Sequence, residues 1–133
     1  MPVARLTSRA LVRVAGPDAR SFLHTLLTQD VETLGQGQAR FGALLSPPGR
    51  LLFDLFLWGE ADAVVLDVAA DRRADLMRRL SLYKLRARVE ITQDDRPVLA
   101  SWPGVEPGFT PDPRLAGLGG RRLGEGPVTD ATE

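Results

Sequence analysis

The chain contains no cysteine. That excludes disulfides, thiolate metal sites and a cysteine nucleophile from these residues. A single histidine, His24, excludes a histidine-rich metal site as well, and no resident metal is expected. An excess of charge of either sign is also missing, since 17 basic residues balance 17 acidic ones. With zero net charge, bulk electrostatics favours neither nucleic acid nor a membrane surface. No apolar run approaches the ~20 residues that span a bilayer. The N-terminus lacks the apolar segment of a secretory signal. Arg5, Arg9 and Arg13 precede the first acid, Asp18, but the alternating "ALVRV" reads as a basic edge strand rather than a transit peptide. A cytoplasmic location is expected.

What is present is an ordinary globular composition, 44% hydrophobic and 26% charged over 133 residues, enough for one compact domain. Proline and glycine are unevenly spread. Residues 97–133 hold six prolines and seven glycines, against ten such residues in 1–96. The sequence therefore divides into an α+β core over 1–96 and a Pro/Gly-rich extension over 97–133, whose end, 124–133, reads as a frayed tail or a linker cut short. Period-2 alternation predicts strands over 9–15, 38–46, 50–58, 63–69 and 87–92. Pro17 suits a first helical residue, and Phe22, Leu23, Leu26 and Leu27 make a helical stripe ending near Thr28. Asp71 is placed to cap a second helix over 72–84. "PPG" at 47–49 and "GEAD" at 59–62 supply turns. The order is β-α-β-β-β-α-β, an α+β fold with two helices and a largely antiparallel sheet.

One stretch is anomalous. In "GRLLFDLFLWG", 49–59, Asp54 interrupts an apolar run. Leu52, Asp54, Phe56 and Trp58 share one face of a strand that is apolar on both faces, so Asp54 is expected in a packed or cavity-lining layer. A carboxylate there costs several kcal/mol unless it is paired or hydrogen-bonded. Asp67 interrupts the next strand, and a two- or four-residue hairpin loop would place it directly opposite Asp54. Two readings stand. The acids are core groups satisfied by backbone or arginine, or they line a wall, with Phe56 and Trp58, for a flat nitrogen-rich heterocycle.

Residues 71–88 carry seven positive and two negative groups. Arg72, Arg73, Arg78, Arg79, Lys84 and Arg86 form either a solvated helix face or a contact for a polyglutamate tail or nucleic acid. Only Tyr83 interleaves them, which argues against a stacking groove for single strands and against direct nucleic-acid contact. His24 reads as a helix-face residue, and "LGQGQA" fits no phosphate-loop fingerprint.

Several longer motifs carry a resemblance: "FLHTLLTQDVETL" (22–34), "ALLSPPGRLLFDLFL" (43–57), "LMRRLSLYKLRARVEI" (76–91) and "DPRLAGLGGRRL" (112–123). In this order and spacing they resemble the tetrahydrofolate-binding family related to the aminomethyltransferase (T protein) of the glycine cleavage system, in its iron–sulfur cluster assembly and repair branch. The resemblance implies a ferredoxin-like folate-binding domain that supports maturation of iron–sulfur proteins, with a link to tRNA modification. Folate and iron–sulfur client proteins are the partners it implies. It places the pterin on Asp54, and Asp67 near the folate, with Phe56 or Trp58 of the same strand face expected to line the pocket; an Asp at position 67 departs from the Asn frequent in those relatives. The branch's later signature, "KGCYxGQE", is absent, so the chain is read as the N-terminal part of a member. No catalytic residue is assigned. An aminomethyltransferase using tetrahydrofolate, and a scaffold that binds nothing, are the alternative readings. An exposed apolar flank would favour a homodimer.

Overall fold

The computed structural model describes residues 3–46, 49–102, 104–105, 107–114 and 119–126. Strand β1 (Val3–Arg5) leads into β2 (Arg9–Ala15), helix α1 (Ala19–Leu26), β3 (Ala39–Ser46), β4 (Arg50–Gly59) and β5 (Ala63–Ala69). A single 3-10 turn (Ala70–Arg72) opens into α2 (Arg73–Tyr83), followed by β6 (Glu90–Asp94), β7 (Val98–Ser101), β8 (Thr110–Pro111) and β9 (Gly120–Leu123). The expected order is present as β2-α1-β3-β4-β5-α2-β6, and the fold is α+β with antiparallel sheets.

The boundaries differ where local chemistry is used elsewhere. Pro17 lies in the turn before α1, and the Asp18 carboxylate accepts the backbone N–H of Arg88 at 2.8 Å instead of capping its own helix. Asp71 falls inside the 3-10 turn and gives α2 no side-chain cap. The strand expected over 87–92 forms three residues later, because Ala87 and Val89 are held in turn hydrogen bonds. Pro47 and Pro48 of the expected turn, and residues 127–133, lie outside the described residues.

The five-stranded sheet has the order β3-β4-β5-β2-β6. Strand β2 is therefore interior, paired on both sides, and not the basic edge strand its arginines suggest. One face carries the main core: Val12 and Val14, Phe53, Leu55 and Leu57, Val64, Leu66 and Val68 pack against Phe22 and Leu23 of α1 and Leu76 and Leu80 of α2. Each such leucine, fully removed from water, contributes roughly 1.5–3 kcal/mol.

The opposite face is covered by a second sheet, ordered β1-β7-β9-β8. The Pro/Gly-rich region thus supplies three strands, and β7 pairs with β1 from the other end of the chain. Val98 and Leu123 from this sheet pack on Leu11, Phe56, Trp58 and Val65. A bulge between Leu44 and Leu45 breaks the alternation of β4 at its start. Leu52 consequently joins the helix-side core, while Leu51 is left 58% exposed.

Candidate functional site

The β4–β5 hairpin pairs Phe56 with Asp67, Leu57 with Leu66 and Trp58 with Val65. Its tip closes through the Glu60 N–H donating to the Ala63 carbonyl at 2.9 Å. This register is two residues away from the one that would oppose Asp54 to Asp67. A shift of two keeps every side chain on its face. Asp54, Phe56 and Asp67 therefore still share one face, but Asp67 faces Phe56, and Asp54 is a diagonal neighbour whose ladder partner is Ala43.

The two acids have opposite surroundings. Asp67 is fully buried. Its Oδ1 accepts from Arg9 Nε at 2.7 Å and its Oδ2 from Arg121 Nη2 at 2.9 Å, and Arg9 also donates to its backbone carbonyl at 2.8 Å. Asp67 is the satisfied core acid of the two readings, and it takes one arginine from β2 and one from β9. Asp54 is exposed, not held in a packed layer. Among the described residues its carboxylate accepts no hydrogen bond and makes no ion pair. The second sheet covers the Phe56–Trp58 end of this face and leaves the Asp54 end open.

Phe56 forms the floor between them. Phe41 meets it edge-on, centroids 5.0 Å apart. Three guanidinium groups lie over its ring, Arg121 at 4.0 Å, Arg114 at 4.9 Å and Arg9 at 5.6 Å. Arg114 is anchored by Asp112 through contacts of 2.7 and 3.0 Å. Burial pushes the Asp112 carboxyl up, but the side-chain and backbone bonds from Arg114 outweigh it and hold the pKa below the ordinary carboxylate value. In return Asp112 raises the Arg114 pKa, with the charges of Asp67 and Asp54 adding to it.

Trp58 lies further along the same face and lines a cavity of about 610 Å³ with Glu60, Arg96, Arg121 and Arg122. Trp58 Nε1 and Arg121 Nε are buried N–H donors without a partner. Asp54 does not line this cavity. The predicted wall is therefore divided: Asp54 stands open beside Phe41 and Phe56, Asp67 is sealed beneath arginines, and Trp58 belongs to a cavity at the other end.

The basic residues of α2 are elsewhere. Arg72 stacks on Phe53, 4.4 Å from its centroid, on the helix side of the sheet. Arg73 donates to the Asp94 carbonyl at 3.3 Å, and Lys84 lines a separate hollow with Gly16 and Pro17. These groups are not assembled with Asp54. The cations assembled over Phe56 are instead Arg9, read in the sequence only as part of a basic strand, and Arg114 and Arg121, which lie in the "DPR" and "GGRR" of the last motif. His24 accepts the Val31 N–H at 3.2 Å and holds the loop after α1.

The antiparallel α+β arrangement of these elements matches a known architecture. The glycine cleavage system aminomethyltransferase T from Bartonella henselae aligns with a TM-score of 0.68 and 26% identity, over 74% of this chain and 28% of that one. The fold is thus that of the aminomethyltransferase-related proteins. Among curated relatives, the iron–sulfur cluster assembly factor IBA57 homolog of Aspergillus oryzae is 35% identical over 117 residues, covering 74% of this chain and 26% of its own length. The mouse protein of that name is 34% identical over 112 residues, covering 74% and 31%. The homolog of Neurospora crassa is 25% identical over 146 residues, covering 90% and 33%. The chain belongs to this IBA57-type branch of the aminomethyltransferase-related family. It spans about a quarter to a third of the length of these relatives. No protein-family model matches it. All three relatives are named as mitochondrial proteins, which overturns the expectation of a cytoplasmic location.

Proposed function

We propose that this chain is the folate-binding-type module of an iron–sulfur cluster assembly factor, and that a reduced folate seats its pterin ring against Asp54. The observation that carries the reading is the exposed Asp54 carboxylate, which accepts no hydrogen bond among the described residues and lies on the same sheet face as the Phe41–Phe56 pair. A pterin offers ring N–H donors to a carboxylate and a flat face to an aromatic edge. Asp67 keeps the floor in place and takes no ligand, because Arg9 and Arg121 occupy both of its oxygens. Phe56 is the floor, and Trp58 acts further along the face. Reduced folates carry one-carbon units. The module serves the maturation of iron–sulfur clients, tRNA-modifying enzymes among them.

The test is ligand-linked stability. A ligand that binds only the folded state raises its stability by about 2.7 kcal/mol at a hundredfold excess over Kd. 5-Formyl-tetrahydrofolate is expected to raise the urea midpoint of the chain and to raise that of Asp54→Asn by half as much or less. A rise of equal size in both proteins would remove Asp54 from the site. No rise in either would contradict folate binding by this module.

A further inference from the structure

On the side of the five-stranded sheet away from Asp54, α2 buries Leu76 and Leu80, packs Met77 and Tyr83 partly against the core, and leaves a polar face outward. Asp75, Arg78, Arg79 and Leu82 fall at helical spacing and, with Arg72 and Phe53, line a cleft of about 260 Å³. The charges there do not cancel. Arg78 is paired with Asp75 at 3.1 Å, and Arg72 is engaged with Phe53 and the Leu52 carbonyl. Among the described residues Arg79 and Arg86 have no hydrogen-bond or ion-pair partner.

Leu82 in the cleft and Leu85, two residues past the end of α2, are apolar side chains in water. Leu82 is 71% exposed and Leu85 88%. Leu85 also has φ of +42°, the left-handed region that leucine avoids. A leucine held outward in unfavourable backbone geometry gains nothing from the fold of this chain.

We propose that this cleft docks a segment of a partner protein that combines carboxylates with aliphatic side chains, such as an acidic amphipathic helix. The carboxylates meet Arg79 and Arg86, and the aliphatic groups cover Leu82 and Leu85. A nucleic acid is disfavoured. The one ring in the cleft is already covered by Arg72, Asp75 would repel phosphate, and two leucines would stay wet. A membrane surface is disfavoured because the main apolar face of α2 is spent on the core.

The experiment uses the whole chain and a fluorescent synthetic helical peptide with leucine on one face and glutamate on the other. Anisotropy should report binding to the wild type. Arg79→Glu/Arg86→Glu and Leu82→Ser/Leu85→Ser should each weaken it at least tenfold. Replacing the peptide's glutamates by glutamine should weaken it similarly. Leu85→Gly, which suits the backbone, should keep the fold and still lose affinity. Absence of peptide binding, binding indifferent to these variants, or wild-type binding to an RNA oligonucleotide or anionic vesicles in place of the peptide would each overturn the proposal.

Discussion

Asp54 and Asp67 are the same residue type on neighbouring strands and on one face of one sheet, yet they do opposite things. Asp67 is sealed under β9, with an arginine on each oxygen. Asp54 stands where the second sheet stops, and its carboxylate accepts no hydrogen bond among the described residues. A buried acid must be paid for within the fold, whereas an exposed one is free for a ligand. The difference comes from coverage and not from the strands themselves, and coverage is set by the short strands of the C-terminal region.

The largest effect that could break this comparison is the removal of the sealed acid. Asp67→Ala leaves Arg121 buried without its counter-charge, and loss of one partner of a buried pair costs about 3–5 kcal/mol. Asp54→Asn should stay within about 0.5 kcal/mol of wild type, as exposed substitutions do. Urea denaturation of both variants measures the contrast, and equal losses would erase it.

Acid titration gives the next effect. Burial raises the Asp94 and Asp112 carboxyls, but bonds from Arg96 and Arg114 outweigh it and leave both below the ordinary 3.8. A group with a depressed folded pKa contributes stability above its unfolded pKa and loses it as pH falls through the folded value. The urea midpoint should therefore hold from neutrality to about pH 5 and fall below about pH 4. Asp112→Asn should flatten part of that fall. It also frees Arg114, which sharpens the comparison by showing whether the Phe56 floor depends on it.

The smallest effect lies on the other side of the sheet. Leu85→Gly relieves a left-handed leucine that costs roughly 1–2 kcal/mol and loosens the unfolded chain by about 0.5–1 kcal/mol. The net expectation is neutral to about 1 kcal/mol more stable, read from the same denaturation curves. A clear loss would show that Leu85 packs in this chain and is not held out for a partner.

Much of the fold was legible in the sequence. Alternation in "ALVRV" and "AVVLDVA" and the leucine stripe of α1 are local signals, and the elements stand where those signals fall. The second sheet was not legible. Its strands β7, β8 and β9 are four, two and four residues long, too short for periodicity to register among prolines and glycines. Register was lost for a related reason: a one- or two-residue change in hairpin geometry moves partners without changing the pattern. That is why Asp54 and Asp67 share a face as read but are not opposed. The partners of Asp67 come from positions 58 and 54 residues away, a separation that no local motif encodes. The basic run after Asp71 was visible, but only the structure shows that it lies on the far side of the sheet from Asp54 and divides among separate contacts.

The central claim is that the open acid reads a ligand. Calorimetric titration of 5-formyl-tetrahydrofolate into the wild-type chain and into Asp54→Asn tests it most directly. The account predicts binding by the wild type and a loss of at least tenfold in the variant, about 1.4 kcal/mol, with unchanged unfolding of the free protein. Equal affinity in the two proteins, or no heat of binding in the wild type, would contradict it.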